Sequence, residues 1–160
     1  MVIGTQFEGD RSPNYYQHLK QLGCDHICST PQGHPATWTT ESLKAHRASI
    51  ETHDLILDMV PLGHIGIGPA DPWRAIMLGT PERDRALDSV CDTIRHTAEA
   101  GIPAMKYYLH YLGIVSTGHV PGRGGSQNRT FVYADAVQEP LLEIGRIDAE
   151  TTWERITYFL

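Results

Sequence analysis

The sequence predicts an α/β fold on a parallel sheet: about the first four βα units of a (β/α)8 TIM barrel. Three observations carry this. Short apolar runs alternate with amphipathic stretches along the chain, and such alternation means parallel strands joined by crossover helices. Glu8, Gly9 and Asp10 follow the first strand in place of a glycine-rich phosphate turn, which weighs against a doubly wound nucleotide fold. A whole barrel takes about 250 residues, and this chain has 160.

The first strand is expected at 1–7. Ser12 suits an N-cap, Pro13 the first helical position and Gly23 the position just past the end, so a helix lies between them. Tyr15, Tyr16, Leu19 and Leu22 form its apolar face. The second strand covers 26–30. Thr39 or Thr40 caps a second helix running to about His53, with Leu43 and Ile50 leading a thin apolar stripe. The third strand, 55–60, ends at Pro61, and a Gly/Pro loop fills 62–79. Thr80, Pro81 and Glu82 repeat the pattern of cap, proline and acidic first turn. Leu87, Val90, Ile94 and Ala98 share one face of this third helix, which Gly101 ends. The fourth strand is 104–109.

Residues 110–150 are rich in Gly, with Arg123 and Arg129 among them, and exceed the ~12–15 residues of ordinary loops. They are expected to cover an active site, with a weak strand at 130–133. Thr151, Thr152, Trp153 and Glu154 carry a capping-box pattern. The helix they begin reaches Leu160 without a C-cap. The reading is a single partial barrel domain over 1–160.

Composition narrows the function classes. No apolar run approaches the roughly 18 residues of a membrane span, and the N-terminus lacks the basic and apolar regions of a secretory signal. Three cysteines are too few for a disulfide framework, so a reducing cytoplasm is expected. The net charge of −6 argues against nucleic acid as partner. An anionic substrate then needs a local cluster of Arg, Lys or backbone N–H groups. A half barrel also exposes two sheet edges and an apolar helix end, which predicts a homo-oligomer.

Three segments, in order and spacing, carry a family resemblance over nearly the whole chain. They are Trp38-Thr39-Thr40-Glu41, Asp58-Met59-Val60-Pro61 and Ala100-Gly101-Ile102-Pro103-Ala104-Met105-Lys106-Tyr107-Tyr108-Leu109. Together they resemble the second-helix start, third-strand end and fourth-strand segment of mannonate dehydratases, a family of xylose-isomerase-like barrels. This sequence has Tyr108 where the family has Asn. Of the family's Asp-Trp-Thr-Arg-Thr, near 113–117, only Thr117 is kept. The resemblance implies a hydro-lyase that converts D-mannonate to 2-keto-3-deoxygluconate and water. It also implies a divalent metal, Mn2+ or Fe2+, whose His, Cys and Asp ligands would fall beyond Leu160. Two alternatives stay open: a sugar isomerase or epimerase of the same superfamily, and an inactive half barrel that self-associates.

Sites in parallel α/β folds gather at the carboxyl ends of strands. Glu8 and Asp58 end the first and third strands, either as solvated ends and caps or as hydroxyl-binding and acid/base groups. His34 and His64 lie in the loops after strands two and three, and His34 is preferred as a substrate contact. Tyr107 matches the family tyrosine and points either into the barrel or at the ligand. Arg123 and Arg129 flank a glycine-rich loop, which is either a solvated segment or a grip on a carboxylate. Cys24, His26 and Cys28 alternate as zinc ligands would, with no obvious fourth ligand, and free cysteine is commonly buried. No metal site is assigned within the chain.

Overall fold

A computed structural model describes residues 3–6, 12–112, 115–136 and 144–160. Four strands form one parallel sheet: β1 (Gly4–Thr5), β2 (His26–Cys28), β3 (Ile56–Ile65) and β4 (Ala104–Leu109). Their order in space is their order in sequence. A doubly wound sheet reverses direction at a switch point, and this sheet has no reversal. Helices fill the crossovers: α1 (Pro13–Gln21), α2 (Thr40–Glu51), α3 (Arg74–Leu78) and α4 (Arg83–Glu99). An antiparallel hairpin follows, β5 (Gly118–Pro121) and β6 (Gln127–Thr130), and then α5 (Ala149–Phe159).

The helix starts follow from local chemistry. Ser12 accepts from the Tyr15 N–H at 3.1 Å, with Pro13 at the first helical position. Thr39 and Ser42 bond reciprocally as a capping box at the start of α2, which satisfies two otherwise orphaned donors. At the far end of α4, Arg47 from α2 donates to the carbonyls of Ala100 and Gly101 at 3.3 and 3.2 Å. A cation there complements the helix dipole.

Several boundaries differ from the sequence reading. α4 starts at Arg83, after a turn in which the Arg83 N–H bonds the Thr80 carbonyl. α5 starts at Ala149, capped by Asp148 accepting from the Thr151 N–H at 2.7 Å, so the capping box expected at 151–154 is not the cap. Within 62–79 lie the end of β3 and the five-residue α3. The weak strand expected at 130–133 is displaced into β6, and a short 3-10 turn follows at Tyr133–Asp135. Leu22 and Ile94, expected on apolar faces, are exposed at 62% and 48%.

The largest difference is in β3, which runs through Pro61 to Ile65. β2 pairs with β3 only as far as Met59, so beyond it Pro61 has a free edge. A proline is tolerated in a strand where no ladder partner needs its missing N–H. Val60 and Leu62 are both buried on the helix side. Strict alternation would put His64 there too. Instead the register slips between Pro61 and Gly63, where Gly63 takes φ +88°, a backbone state that favours glycine. The slip changes the phase of the strand. Ile65 takes the core position and His64 turns to the open face.

Two apolar clusters result. Tyr16, Leu19, Ile27, Trp38, Leu43, Ile50, Leu57 and Val60 anchor the first, under α1 and α2. Leu62, Ile65, Trp73, Ile76, Met77 and Val90 anchor the second, under α3 and α4. β3 feeds both. On the open face Lys106 of β4 donates to Gln6, just past β1, at 3.0 Å. These are the two outer strands, roughly 14 Å apart in a flat sheet. Side chains stand nearly perpendicular to a sheet, so this bond forms because the sheet curls toward its open face.

Candidate functional site

The carboxyl ends of β3 and β4 open into a cavity of about 780 Å³. Its lining includes His64, Gly66, Asp71, Arg74, Thr80, His110 and Tyr111. β4 alternates cleanly: Met105 and Leu109 pack on the core, while Tyr108 stays on the open face with His64. The His64 and Tyr108 rings stack with centroids 5.1 Å apart. His64 Nδ1 lies 2.9 Å from His110 Nε2, so one donates and the other accepts. His110 is brought there by its N–H bond to the Ile65 carbonyl at 3.2 Å. Gly66 makes room for the ring: a Cβ at that position would sit 3.2 Å from His110 Cε1.

Asp71 shapes the loop that carries Arg74. One carboxylate oxygen accepts from the Gly66 N–H and the other from the Trp73 N–H, each at 2.8 Å. Trp73 is buried at 1% exposure, and its indole N–H donates to Ser89 Oγ at 3.1 Å. Arg74 is half-buried, with its Nε shut away from water and without a partner among the described residues. Burial raises the Tyr111 phenol above its usual range.

The expected site residues distribute unevenly. His34 packs edge-on against Trp73 at 4.9 Å and feels the charge of Asp71, so it touches the loop beside the cavity without lining it. Burial holds its imidazole below the ordinary histidine range, with Asp71 opposing weakly. Asp58 does not end its strand. It is the third residue of β3, bonded to His26 Nδ1, and it sits about 20 Å along the strand from His64. Tyr107 does not line the cavity: its ring packs on Phe159 of α5 at 5.1 Å. Arg123 and Arg129 are exposed on the β5–β6 hairpin. Glu8 lies outside the described residues. Cys24 and Cys28 are buried and not bridged to each other, and His26 is engaged by Asp58. His110, Asp71 and Arg74 join the site without being among the residues the sequence analysis names. Their signal was the Asp71-Pro72 turn, set between a histidine-bearing strand end and an arginine.

His34 carries a pH prediction. Its folded-state pKa is depressed, so the unfolded chain takes up the proton first as pH falls below about 6.5. Protonation at Nδ1 also removes the acceptor for the Ala36 N–H, bonded at 3.1 Å. Stability contributed by neutral His34 is thus present above pH ~6.5 and is lost below it. Melting temperatures of the wild type and His34→Gln, measured from pH 7.5 to 5, should fall more steeply for the wild type. Parallel curves would refute the assignment.

The molecule is thus a parallel α/β protein with its cavity at the carboxyl ends of its strands. The profile of the D-mannonate dehydratase (UxuA) family matches residues 1–140, and the chain belongs to that family. Mannonate dehydratase 2 from Halalkalibacterium halodurans is 34% identical over 70 residues, covering 44% of this chain and 18% of that protein. The crystal structure of mannonate dehydratase from Streptococcus suis serotype 2 superposes with a TM-score of 0.77 at 22% identity. That match covers 99% of this chain and 48% of the solved one, so the chain spans about half the length of that relative.

Members of this family are in general metal-dependent. Among the described residues no three His, Cys, Asp or Glu side chains converge as a metal would require. Among the described residues no helix is long and apolar enough to cross a membrane.

Proposed function

We propose that the protein acts in the dehydration of a sugar acid, D-mannonate to 2-keto-3-deoxygluconate and water, with its substrate in the cavity over β3 and β4. Membership of the dehydratase family is the observation that carries this reading. The consecutive strand order, the inward curl marked by Lys106 and Gln6, and the likeness to the solved relative support reading the sheet as the first half of a (β/α)8 barrel. A volume of about 780 Å³ accommodates a six-carbon acid. A divalent metal, Mn2+ or Fe2+, would supply Lewis-acid stabilisation to the charge that develops beside the carboxylate; no described residue of this chain is assigned to hold it. A cysteine count of three, too low for a disulfide framework, supports a reducing, cytoplasmic setting.

Dehydration removes the proton beside the carboxylate and expels the neighbouring hydroxyl. A base and an acid must reach those atoms. We assign His64 to this proton handling, with His110 as its positioning residue. If His110 Nε2 accepts, His64 carries its proton on Nδ1 and leaves Nε2 free as a base. When His64 is doubly protonated the same contact is kept, and the ring can return the proton to the leaving hydroxyl. His34 does not line the cavity; it packs on Trp73 and acts on the site only through that loop. Asp58, Tyr107, Arg123 and Arg129 stand apart from it and are given no part in the chemistry.

The test is to incubate the protein with D-mannonate and Mn2+ and follow the 2-keto acid. His64→Gln should lower the rate by about 10²–10⁴, as loss of a general acid/base does. An unchanged rate in His64→Gln removes His64 from the mechanism. Conversion of a neutral sugar to its isomer, with no keto acid formed, would establish the isomerase reading instead. No turnover at all, with the protein dimeric in solution, would favour the inactive self-associating form.

A further inference from the structure

We propose that Arg74 is the anion anchor of the cavity over β3 and β4, gripping the carboxylate of the sugar acid. This rests on the sugar-acid reading and names the group that recognises the acid end of the substrate.

Arg74 stands out by its lack of partners. Arg47, Arg83, Arg95 and Arg155 each pair with a carboxylate. Arg85, Arg123 and Arg129 are exposed, where water satisfies them. Arg74 is half-buried, yet its guanidinium has no ion pair or hydrogen bond among the described residues, and its Nε is closed off from water. Buried donors are ordinarily satisfied, and one left open is a cost that folding does not recover. The carboxylate that shares this lining cannot easily serve. Asp71 turns one oxygen to the Gly66 N–H and the other to the Trp73 N–H, so it is committed to the loop.

The geometry around Arg74 also suits the ligand. Its backbone is fixed by the N–H bond to the Asp71 carbonyl at 3.2 Å and by the buried Trp73 beside it. A planar guanidinium fork matches a carboxylate with two parallel bonds. The chain carries a net charge of −6, so an anion reaches this cavity only where a fixed cation overcomes that field. Arg74 lines the same cavity as His64 and Thr80, whose imidazole and hydroxyl can bond sugar hydroxyls. Arg123 and Arg129, the arginines expected to hold a carboxylate, do not line this cavity.

The experiment titrates the 160-residue chain with D-mannonate, with uncharged D-mannose and with inorganic phosphate, read by chemical-shift changes. The wild type is compared with Arg74→Met and Arg74→Lys. Mannonate should bind about tenfold more tightly than mannose, as a charge-assisted pair implies. Arg74→Met should erase that preference and leave the response to mannose unchanged. Arg74→Lys keeps the charge without the fork and should retain part of the preference, which decides the matter if Arg74→Met does not fold. A variant that still prefers mannonate as strongly as the wild type overturns the anchor while leaving the sugar-acid reading intact. Phosphate binding that is lost in Arg74→Met, with no response to mannonate in the wild type, upholds the anchor and overturns the sugar-acid reading. A wild type that responds to neither anion overturns the anchor.

Discussion

Trp73→Ala is expected to cost about 3–5 kcal/mol of folding stability, the usual range for emptying a buried aromatic site. Trp73 is 1% exposed and belongs to the second cluster with Ile76, Met77 and Val90. It also carries His34 on its edge and bonds Ser89. A domain of ordinary stability has about 5–15 kcal/mol in all, so this one change takes a large share. Trp73→Phe separates the causes. It keeps most of the ring and loses the N–H bond to Ser89 Oγ, a change of about 1 kcal/mol. Urea unfolding of the three proteins checks the ranking. Equal midpoints for the Ala and Phe variants would show that ring packing contributes nothing.

Asp71→Asn is expected to cost about 1–3 kcal/mol through a different mechanism. The carboxylate accepts from two backbone N–H groups, at Gly66 and at Trp73. Asparagine keeps one acceptor oxygen and turns an amide donor toward the other N–H, which is left unsatisfied. Asp71→Ala should cost somewhat more, because both N–H groups then lose their acceptor. Since Gly66 lies against His110, the imidazole resonances of His64 and His110 should shift in both variants. A stability within ~0.5 kcal/mol of wild type for both variants would mean that water replaces the carboxylate freely.

The sequence spoke clearly where a local rule had one solution. Ser12 and Pro13 start α1, β4 occupies 104–109 as alternation requires, and the start of α2 was narrowed to Thr39 or Thr40, of which Thr39 is the cap. It was silent where position depended on a neighbour. Pro61 is an ordinary strand terminator in one dimension; only the end of β2 at Cys28 gives it a free edge and lets β3 continue. The slip at Gly63 then decides the face of His64, and no periodicity along 55–65 announces it. His64 and His110 are 46 residues apart and meet because the two strands pair in register, a fact about the sheet rather than about either segment. Arg74 lay hidden because a helix of five residues is too short for a periodic signature. The family motifs pointed to Tyr107, yet it is its neighbour Tyr108 that stacks on His64.

The division of the core into two clusters also sets the order in which the chain can assemble. The buried members of the second cluster all lie between Leu62 and Val90, whereas those of the first run from Tyr16 to Ile102. Bringing distant residues together costs chain entropy that grows with the logarithm of their separation. Closing the second cluster is therefore cheaper by roughly 1 kcal/mol, on the same scaling. The segment that carries Asp71, Arg74 and the end of β3 can condense on its own contacts, before the longer-range sheet is complete.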